Sequence, residues 1–338
     1  MKDIYEKLID DFPKLILEIG INHNGSREIA EKMIIAAKKA GAFAVKFQTF
    51  KTDKFITKSN KYYEIFKRCE LTLDDLIYLK KCADENKIIM FSTANEPSII
   101  PILEKINNPI YKTSSASITY LQLFEKICKV AFNKPLIIST GGSYLGEIEQ
   151  VINYLKEKNK SKIILFHCTS EYPVKVENIN LKGIETLKKA FNLPVGFSDH
   201  SENNIAILLS LFYGCRIFEK HFTLDQKLEG PDHHFSITPE QAKKLINEIN
   251  YALKVFGAGA VKPKGKEIEF RNIGRRYIVA KTNIKKGTII TSKLIDYKRT
   301  NFSQNKIEPF EVNKILGLKV NKNVPKDSII KWSDFRHK

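Results

Sequence analysis

The most constraining feature of the sequence is a regular alternation of short apolar runs with longer segments of helical periodicity. Eight apolar runs, each short enough to be a buried strand, lie between Leu15 and Phe218, and a helical pattern follows each of them. Eight strand–helix repeats over about 240 residues are typical of an α/β protein of the (β/α)8 or TIM barrel class. A doubly wound open sheet would also alternate, but the chain lacks a glycine-rich GxGxxG turn, so that fold is the alternative.

The alternation defines the expected elements. The predicted strands are 15–17, 43–45, 88–91, 109–111, 135–138, 162–166, 194–197 and 215–218. The predicted helices are 28–40, 72–85, 98–106, 120–130, 144–157, 180–191, 203–213 and 239–256.

Polar side chains follow every predicted strand. In a barrel of parallel strands all the carboxyl ends meet at one rim, where enzymes with this fold carry out their chemistry. The polar residues at these positions include Glu18, Lys46, Gln48, Thr93, Lys112, Ser115, Ser139, Tyr172, Ser198, His200 and His221. Their convergence predicts an active site at the rim.

The residue types indicate an anionic substrate. Lys46 and Lys112 supply positive charge, and hydroxyl groups together with the amides near Gly141 and Gly142 supply donors suited to phosphate or carboxylate. Either lysine could instead form a structural ion pair, and a Schiff-base role stays open. Glu18 is either a general acid/base with a raised pKa or a carboxylate held in a salt bridge.

His200 and His221 follow neighbouring predicted strands and are therefore expected to face one site. Two neutral imidazoles, with the other positions open to water and substrate oxygens, suit a divalent ion such as Mn²⁺ or Mg²⁺ acting as a Lewis acid. The alternative is a pair of hydrogen-bonded structural histidines.

Composition limits the cellular setting. The net charge of +18 comes from scattered lysines without an arginine-rich block, which favours a solvated surface over nucleic-acid binding. No apolar run reaches the roughly 18 residues of a membrane span, and the acidic N-terminal segment does not resemble a signal peptide. The five cysteines are odd in number and lack a CxxC pair, so we expect buried thiols in a reducing cytoplasm.

Seven motifs, in order along the chain, resemble the sialic acid synthase family. They are EIGINHNGS (18–26), VKFQTF (45–50), ISTGG (138–142), HCTSEYP (167–173), VGFSDH (195–200), EKHFTL (219–224) and GPDH (230–233). The resemblance implies an enzyme that condenses phosphoenolpyruvate with an N-acetylated hexose, typically N-acetylmannosamine or a modified relative, to a nine-carbon 2-keto-3-deoxy acid and phosphate. It also implies a TIM barrel followed by a small, mainly β antifreeze-like (SAF) domain, in a domain-swapped homodimer.

The resemblance assigns roles to individual positions. His200 and His221 would hold the Mn²⁺ or Mg²⁺ ion, and Glu18 would act as acid/base. The phosphoenolpyruvate contacts would be Lys46, Thr93, Lys112, Ser115, Ser139 and Ser198, and the sugar contacts Gln48, Tyr172 and Asp232.

The sequence departs from the family pattern after the third and the fourth predicted strands. Ser117 stands where many members have an acidic residue, and the segment STANEP replaces an STPF-like one. The acceptor sugar is therefore open, and Glu96 or Glu171 is a candidate to replace the missing carboxylate.

The tail forms a separate unit. We expect the catalytic barrel over 1–256, a Gly/Lys/Pro-containing linker over 257–274 and the SAF domain over 275–338. Arg299 matches the family arginine that reaches the sugar in the partner's barrel, although it could simply cap the small domain's surface. The residues after it, Thr300 to Phe302, differ from the family pattern.

A second function shares most of these features. A pyruvate-dependent aldolase could use the same barrel, with Lys112 as a Schiff base or with the ion holding an enolate. Phosphate release from phosphoenolpyruvate and borohydride trapping with pyruvate distinguish the two.

Overall fold

The computed structural model describes residues 2–300 and 305–335. The chain divides into two compact units, Met1–Gly257 and Ala258–Lys338.

The first unit is a closed barrel of eight parallel strands in chain order, and the predicted fold class is confirmed. The strands are β1 (Lys14–Gly20), β2 (Ala44–Thr49), β3 (Ile89–Ala94), β4 (Tyr111–Thr113), β5 (Leu136–Ser139), β6 (Ile163–His167), β7 (Val195–Asp199) and β8 (Ile217–His221). β8 pairs with β1, which closes the barrel and places Glu18 beside His221 in the register.

Several strands differ from their predicted limits at the carboxyl end. The prediction ended β1 at Leu17 and β8 at Phe218, but these strands run on to Gly20 and His221. An apolar-run criterion stops at the first polar residue, whereas the ladder continues because the neighbouring strands supply its hydrogen bonds. Many of the polar residues expected to follow the strands therefore lie within them.

Helices surround the barrel. They are α1 (Ile4–Ile9), α2 (Arg27–Ala40), α3 (Thr52–Phe55), α4 (Tyr63–Arg68), α5 (Leu73–Glu85), α6 (Ile100–Lys105), α7 (Leu121–Val130), α8 (Leu145–Glu157), α9 (Lys182–Phe191), α10 (Ile205–Ser210) and α11 (Pro239–Phe256). Local signals explain their ends: Thr72 and Asp75 form a capping box before α5, and Gly41 ends α2 with φ 93°. The sequence analysis did not predict α1, α3 or α4.

The alternation of side chains along the strands creates two apolar layers. Leu15, Leu17 and Val45 belong to the layer between strands and helices, whereas Ile16 and Ala44 face the barrel interior. Because side chains alternate with a two-residue period, Glu18, two residues after Ile16, also lies on the inward face. The interior is thus apolar in its lower part and polar at the carboxyl ends of the strands.

Helix α1 closes the lower end of the barrel. Leu8 of this helix is fully buried in one cluster with interior side chains of the strands, among them Ile16, Phe91 and Ile164. An Asp3–Glu6 capping box defines the start of the helix. The barrel is therefore a packed core beneath its polar end and not an open pore.

The second unit is small and mainly β. It contains α12 (Lys266–Gly274), followed by the antiparallel pair β9 (Arg276–Ala280) and β10 (Ile295–Arg299) and by isolated bridges. Its own apolar core includes Ile278, Ile290 and Ile330. Within the predicted linker 257–274, Lys266–Gly274 form α12.

Two further expectations concern the described residues. All five cysteines are buried and unbridged, as predicted. A search of residues 2–300 and 305–335 finds no helix with the length and apolarity needed to cross a bilayer.

Candidate active site

The inward-facing side chains of β1, β2 and β3 form one connected group. Lys46 Nζ lies 2.5 Å from Glu18 Oε2 and donates a hydrogen bond to Thr93 Oγ1 at 2.9 Å. Gln48 Nε2 donates to the other carboxylate oxygen of Glu18 at 2.9 Å. Glu18 is 1% exposed and Lys46 is 2% exposed, so water does not screen their interaction. The structure thus brings four of the predicted site residues together.

A second group continues from β4 to β8. Lys112 Nζ donates to Ser139 Oγ at 2.7 Å and lies 3.3 Å from Glu219 Oε1. Ser198 Oγ donates to the same oxygen of Glu219 at 3.2 Å. Because Glu219 Oε2 lies 3.8 Å from Lys46 Nζ, this carboxylate bridges the two buried lysines and links both groups.

Glu219 is one of the polar residues at the end of the eighth predicted strand, but the sequence analysis gave it no role in the site. It stands two positions before His221 on β8, so both side chains lie on the same face of the strand. This spacing is the signal that could have identified it. The neighbouring Lys220 points the other way and forms a buried ion pair with Asp199 at 2.6 Å.

The electrostatics of the network favour an anionic ligand. Burial raises the pKa of Glu18, an effect that Lys46 opposes and Glu219 reinforces. Burial also acts to raise the pKa of Glu219, but Lys112 and Lys46 outweigh it and hold that pKa below its ordinary value. Two lysines therefore face one carboxylate with a lowered pKa and a second carboxyl group that accepts a proton more readily. Glu18 combines the salt bridge and the raised pKa that the sequence presented as alternatives.

His200 and His221 lie at the ends of neighbouring strands, with ring centroids 5.7 Å apart. His200 Nδ1 lies 2.6 Å from the backbone carbonyl of Thr169, which can only accept, so the hydrogen is on Nδ1. Nε2 then carries the lone pair, and Ser198 Oγ lies 3.3 Å from it. Burial lowers the pKa of both imidazoles, which keeps them neutral. Neutral imidazole is the form that binds a metal.

The histidines fit the predicted ion. His221 Nδ1 is buried, finds no hydrogen-bond partner among the described residues and has Asp232 Oδ2 at 3.6 Å. A coordinated ion would satisfy that nitrogen. Within residues 2–300 and 305–335 no three His, Cys, Asp or Glu side chains are grouped as metal ligands, so an ion here would need water or substrate oxygens as well.

Aromatic side chains lie beside the histidines. The Tyr172 ring is 4.2 Å from His200, and the Phe235 ring is 4.9 Å from His221, centroid to centroid. Tyr172 is 49% exposed and Phe235 is buried, so the aromatic surface extends from the site toward solvent. Asp232 lies on the same side, and burial, with a smaller contribution from Glu18, raises its pKa to about 6. An apolar surface with a carboxyl group beside it is suited to a sugar.

Ser115 and Gly141 meet at the rim between β4 and β5. The Gly141 amide donates to Ser115 Oγ at 3.1 Å. A Cβ at Gly141 would lie 2.5 Å from Ser170 Oγ and 2.9 Å from Ser115 Oγ, so a larger residue would require these hydroxyl groups to move. Cys168 Sγ also contacts Ser115 Oγ, at 3.2 Å.

The two carboxylates suggested as replacements at Ser117 have other partners. Glu96 accepts from the Ser98 amide at 2.6 Å and so caps the turn before α6. Glu171 accepts from Asn178 Nδ2 at 2.9 Å within its own loop. Both therefore stabilise local structure, and among the described contacts neither reaches Lys46 or Lys112.

Arg299 belongs to the second unit. It is exposed at the end of β10, directly opposite Arg276 of β9. Its expected contact with a sugar in the partner subunit stays a prediction. Asn301 and Phe302, where the sequence departs from the family pattern, lie outside the described residues.

Comparison with known proteins identifies relatives over almost the whole chain. An uncharacterised protein of Methanocaldococcus jannaschii is 41% identical over 95% of this chain and 94% of its own length. The N,N'-diacetyllegionaminic acid synthase of Campylobacter jejuni is 36% identical over 94% of this chain and 98% of its own length. A crystal structure of N-acetylneuraminic acid synthetase from Leptospira borgpetersenii has a TM-score of 0.71 and 32% identity, covering 77% of this chain and 92% of the other.

Family profiles account for both units. The NeuB family matches residues 33–261, more than half of the chain, and the SAF domain matches residues 275–336. The chain therefore belongs to the NeuB family, the sialic acid synthase family that its motifs resemble, and it is an enzyme with a C-terminal SAF domain.

Proposed function

We propose that this enzyme condenses phosphoenolpyruvate with an N-acetylated hexose to form a nine-carbon 2-keto-3-deoxy sugar acid and phosphate. The main observation in support is the pair of buried lysines, Lys46 and Lys112, bridged by Glu219 and placed beside two neutral histidines. Phosphoenolpyruvate carries a phosphate and a carboxylate, so two ammonium groups at the base of one site match its two anionic ends.

The surrounding hydroxyl groups complete the anion site. Thr93 and Ser139 each contact one of the lysines, and Ser115 lies where the Gly141 amide approaches the rim. These donors are fixed by packing before any ligand arrives. Donors that do not need to reorganise stabilise developing charge more effectively than water does.

The reaction requires a carbon–carbon bond, the addition of water and the departure of phosphate. The C3 carbon of phosphoenolpyruvate attacks the aldehyde carbon of the open-chain sugar, whose oxygen takes up a proton. Water adds to C2 and loses one of its protons, which leaves a hydroxyl and the phosphate ester on the same carbon. Phosphate then leaves with the electrons of its bond to C2 and takes up the remaining hydroxyl proton as the keto group forms. Glu18 would hold one of these protons, and its raised pKa supports that role.

A divalent ion held by His200 and His221 would polarise the aldehyde oxygen as a Lewis acid. The acceptor would lie against Tyr172, with Gln48 and Asp232 as polar contacts. Because the Campylobacter jejuni relative is named for a product with two N-acetyl groups, an acceptor with a second acetamido group belongs in the assay beside N-acetylmannosamine.

The test is phosphate release from phosphoenolpyruvate with Mn²⁺ and a panel of N-acetylated hexoses. We expect release to depend on an acceptor, to stop when a chelator removes the metal and to return with Mn²⁺. His200→Ala and His221→Ala should abolish it while the circular dichroism spectrum is unchanged. Near-normal turnover in both variants would contradict the metal role, and borohydride trapping of the protein with pyruvate would favour the aldolase.

We further propose that the enzyme works in the cytoplasm as a domain-swapped homodimer in which Arg299 completes the partner's site. Mixing inactive His200→Ala and Arg299→Ala protomers tests this arrangement. Dimers that exchange subunits should recover part of the activity, because one of the two sites then combines an intact barrel with an intact Arg299. Absence of recovery in subunit-exchanged dimers would contradict it.

A further inference from the structure

The segment between β8 and α11 carries Asp232 and Phe235 to the mouth of the barrel. Between His221 and Pro239 the described chain forms no helix or regular strand, only an isolated bridge between Phe222 and Ile237. Backbone ladders therefore do little to fix its position. Side-chain hydrogen bonds from elsewhere in the chain hold it, together with the burial of Phe222 and Phe235.

Asn22, in the loop after β1, bonds to both ends of this segment. Its Nδ2 donates to the carbonyl of Phe222 and to Ser236 Oγ, both at 2.9 Å. Ser236 Oγ in turn donates to the carbonyl of Asp232 at 2.5 Å. One buried amide thus connects the strand that bears Glu18 to the backbone of Asp232.

Asn24 makes the second connection. Its Nδ2 donates to the Glu229 carbonyl at 2.8 Å and lies 3.3 Å from His233 Nε2, which therefore accepts. His233 Nδ1 then carries the hydrogen and donates to Thr223 Oγ1 at 2.7 Å. His233 is 0% exposed, so these partners replace all of its contact with water.

From this network we infer that Asn22, Asn24 and His233 are positioning residues that hold the 222–236 segment, and with it Asp232, in the geometry that binds the acceptor sugar. The three side chains act through the segment and touch neither of the buried lysines. The inference rests on the proposed function, because it takes Asp232 as an acceptor contact. It predicts that loosening the segment weakens acceptor binding and leaves phosphoenolpyruvate binding intact.

Asn24→Gly is the sharpest test. Asn24 has φ 51°, a left-handed conformation that glycine adopts freely, so this substitution removes the side chain without adding backbone strain. Asn192→Gly is the matched control, since Asn192 has φ 52° and is exposed at the end of α9. If Asn24→Gly does not fold, Asn24→Asp replaces it, because aspartate has the same size and tolerates the conformation but cannot donate.

Two measurements are made on the full-length enzyme. Steady-state phosphate release gives kcat and the KM of each substrate, and hydrogen exchange followed by mass spectrometry reports protection of 222–236. We expect the acceptor KM to rise about tenfold in Asn24→Gly, with kcat and the phosphoenolpyruvate KM within about twofold, and exchange in the segment to accelerate. Asn192→Gly should change none of these values.

Three results would overturn the inference: unchanged exchange in the segment, faster exchange with an unchanged acceptor KM, or an equal rise in both KM values. Failure of the proposed function appears separately, as absence of acceptor-dependent phosphate release by the unsubstituted enzyme. The exchange data then decide alone whether the three residues hold the segment.

Discussion

Replacing Lys46 by methionine tests the buried charge network on which the proposed anion site depends. Methionine keeps most of the volume of the side chain and removes its charge. Glu18 then retains only the hydrogen bond from Gln48, and Glu219 retains Lys112 and Ser198. Two carboxyl groups are left in a dry interior with one cation between them.

The expected cost follows from burial. Removing one partner of a buried ion pair lowers the free energy of unfolding by about 3–5 kcal/mol. Protonation of Glu18, whose pKa is already raised, recovers part of this, so we expect about 3 kcal/mol at pH 7. For a domain of this size that loss corresponds to a fall in Tm of about 6–12 °C. Phosphate release should be abolished in the same variant.

A double-mutant cycle isolates the interaction. Unfolding of Lys46→Met, Glu18→Gln and the double variant is followed by calorimetry and denaturant titration, and the double variant should be at least about 1.5 kcal/mol more stable than additivity predicts. Lys160→Met is the control: Lys160 is equally buried but bonds to backbone carbonyls, including those of Ala131 and Phe132. Its combination with Glu18→Gln should be additive within about 0.5 kcal/mol. A Lys46–Glu18 coupling energy below about 0.5 kcal/mol would refute the reasoning.

Three further predictions concern the β1–α2 loop and Glu96. Burial lowers the pKa of His23 from 6.5 to about 4, so unfolding takes up a proton as the pH falls between these values, and the free energy of unfolding drops by up to about 3 kcal/mol. In chemical denaturation, His23→Gln should flatten this dependence of the free energy of unfolding on pH. An unchanged pH dependence would count against the prediction. Gly25→Ala should lower the free energy of unfolding by about 3 kcal/mol or prevent folding. The reason is that residue 25 has φ 79° and a Cβ there would lie 2.1 Å from the Arg68 carbonyl oxygen. A Tm within about 2 °C of that of the unsubstituted protein would contradict this geometry. Glu96→Gln should keep turnover within about twofold and lower the free energy of unfolding by roughly 1 kcal/mol, since the carboxylate serves as a cap. A large loss of turnover with normal stability would instead favour a catalytic role for Glu96.

The barrel could be predicted from the sequence because buried parallel strands are continuous apolar runs separated by capped helices. The same criterion failed at the strand ends, since it treats Glu219 or His221 as a loop residue when pairing with neighbouring strands keeps it in the ladder. Helix α1 was missed for a related reason. Its single fully buried residue, Leu8, gives too weak a periodic signal in a segment of six residues.

The site was predicted as a set of residues but not as a network. The spacing of His200 and His221 sufficed to bring two rings together, because parallel strands align their ends. The bond from Asn22 to Ser236 joins residues 214 positions apart, and nothing in either local sequence indicates the other. Contacts of that kind depend on how one loop packs on another after the barrel has closed.

Helix α1 also determines how molecules reach the reacting groups. Apolar side chains such as Ile16 and Phe91 fill the barrel beneath Glu18 and Lys46, and Leu8 seals them from below. Among the described residues, this packing closes the lower end of the barrel, so a molecule that binds at Glu18 and Lys46 would enter from the carboxyl end. If the small anion binds deepest, on the lysines, a sugar bound first would block its path. The shape of the barrel would then require the anion to bind before the sugar.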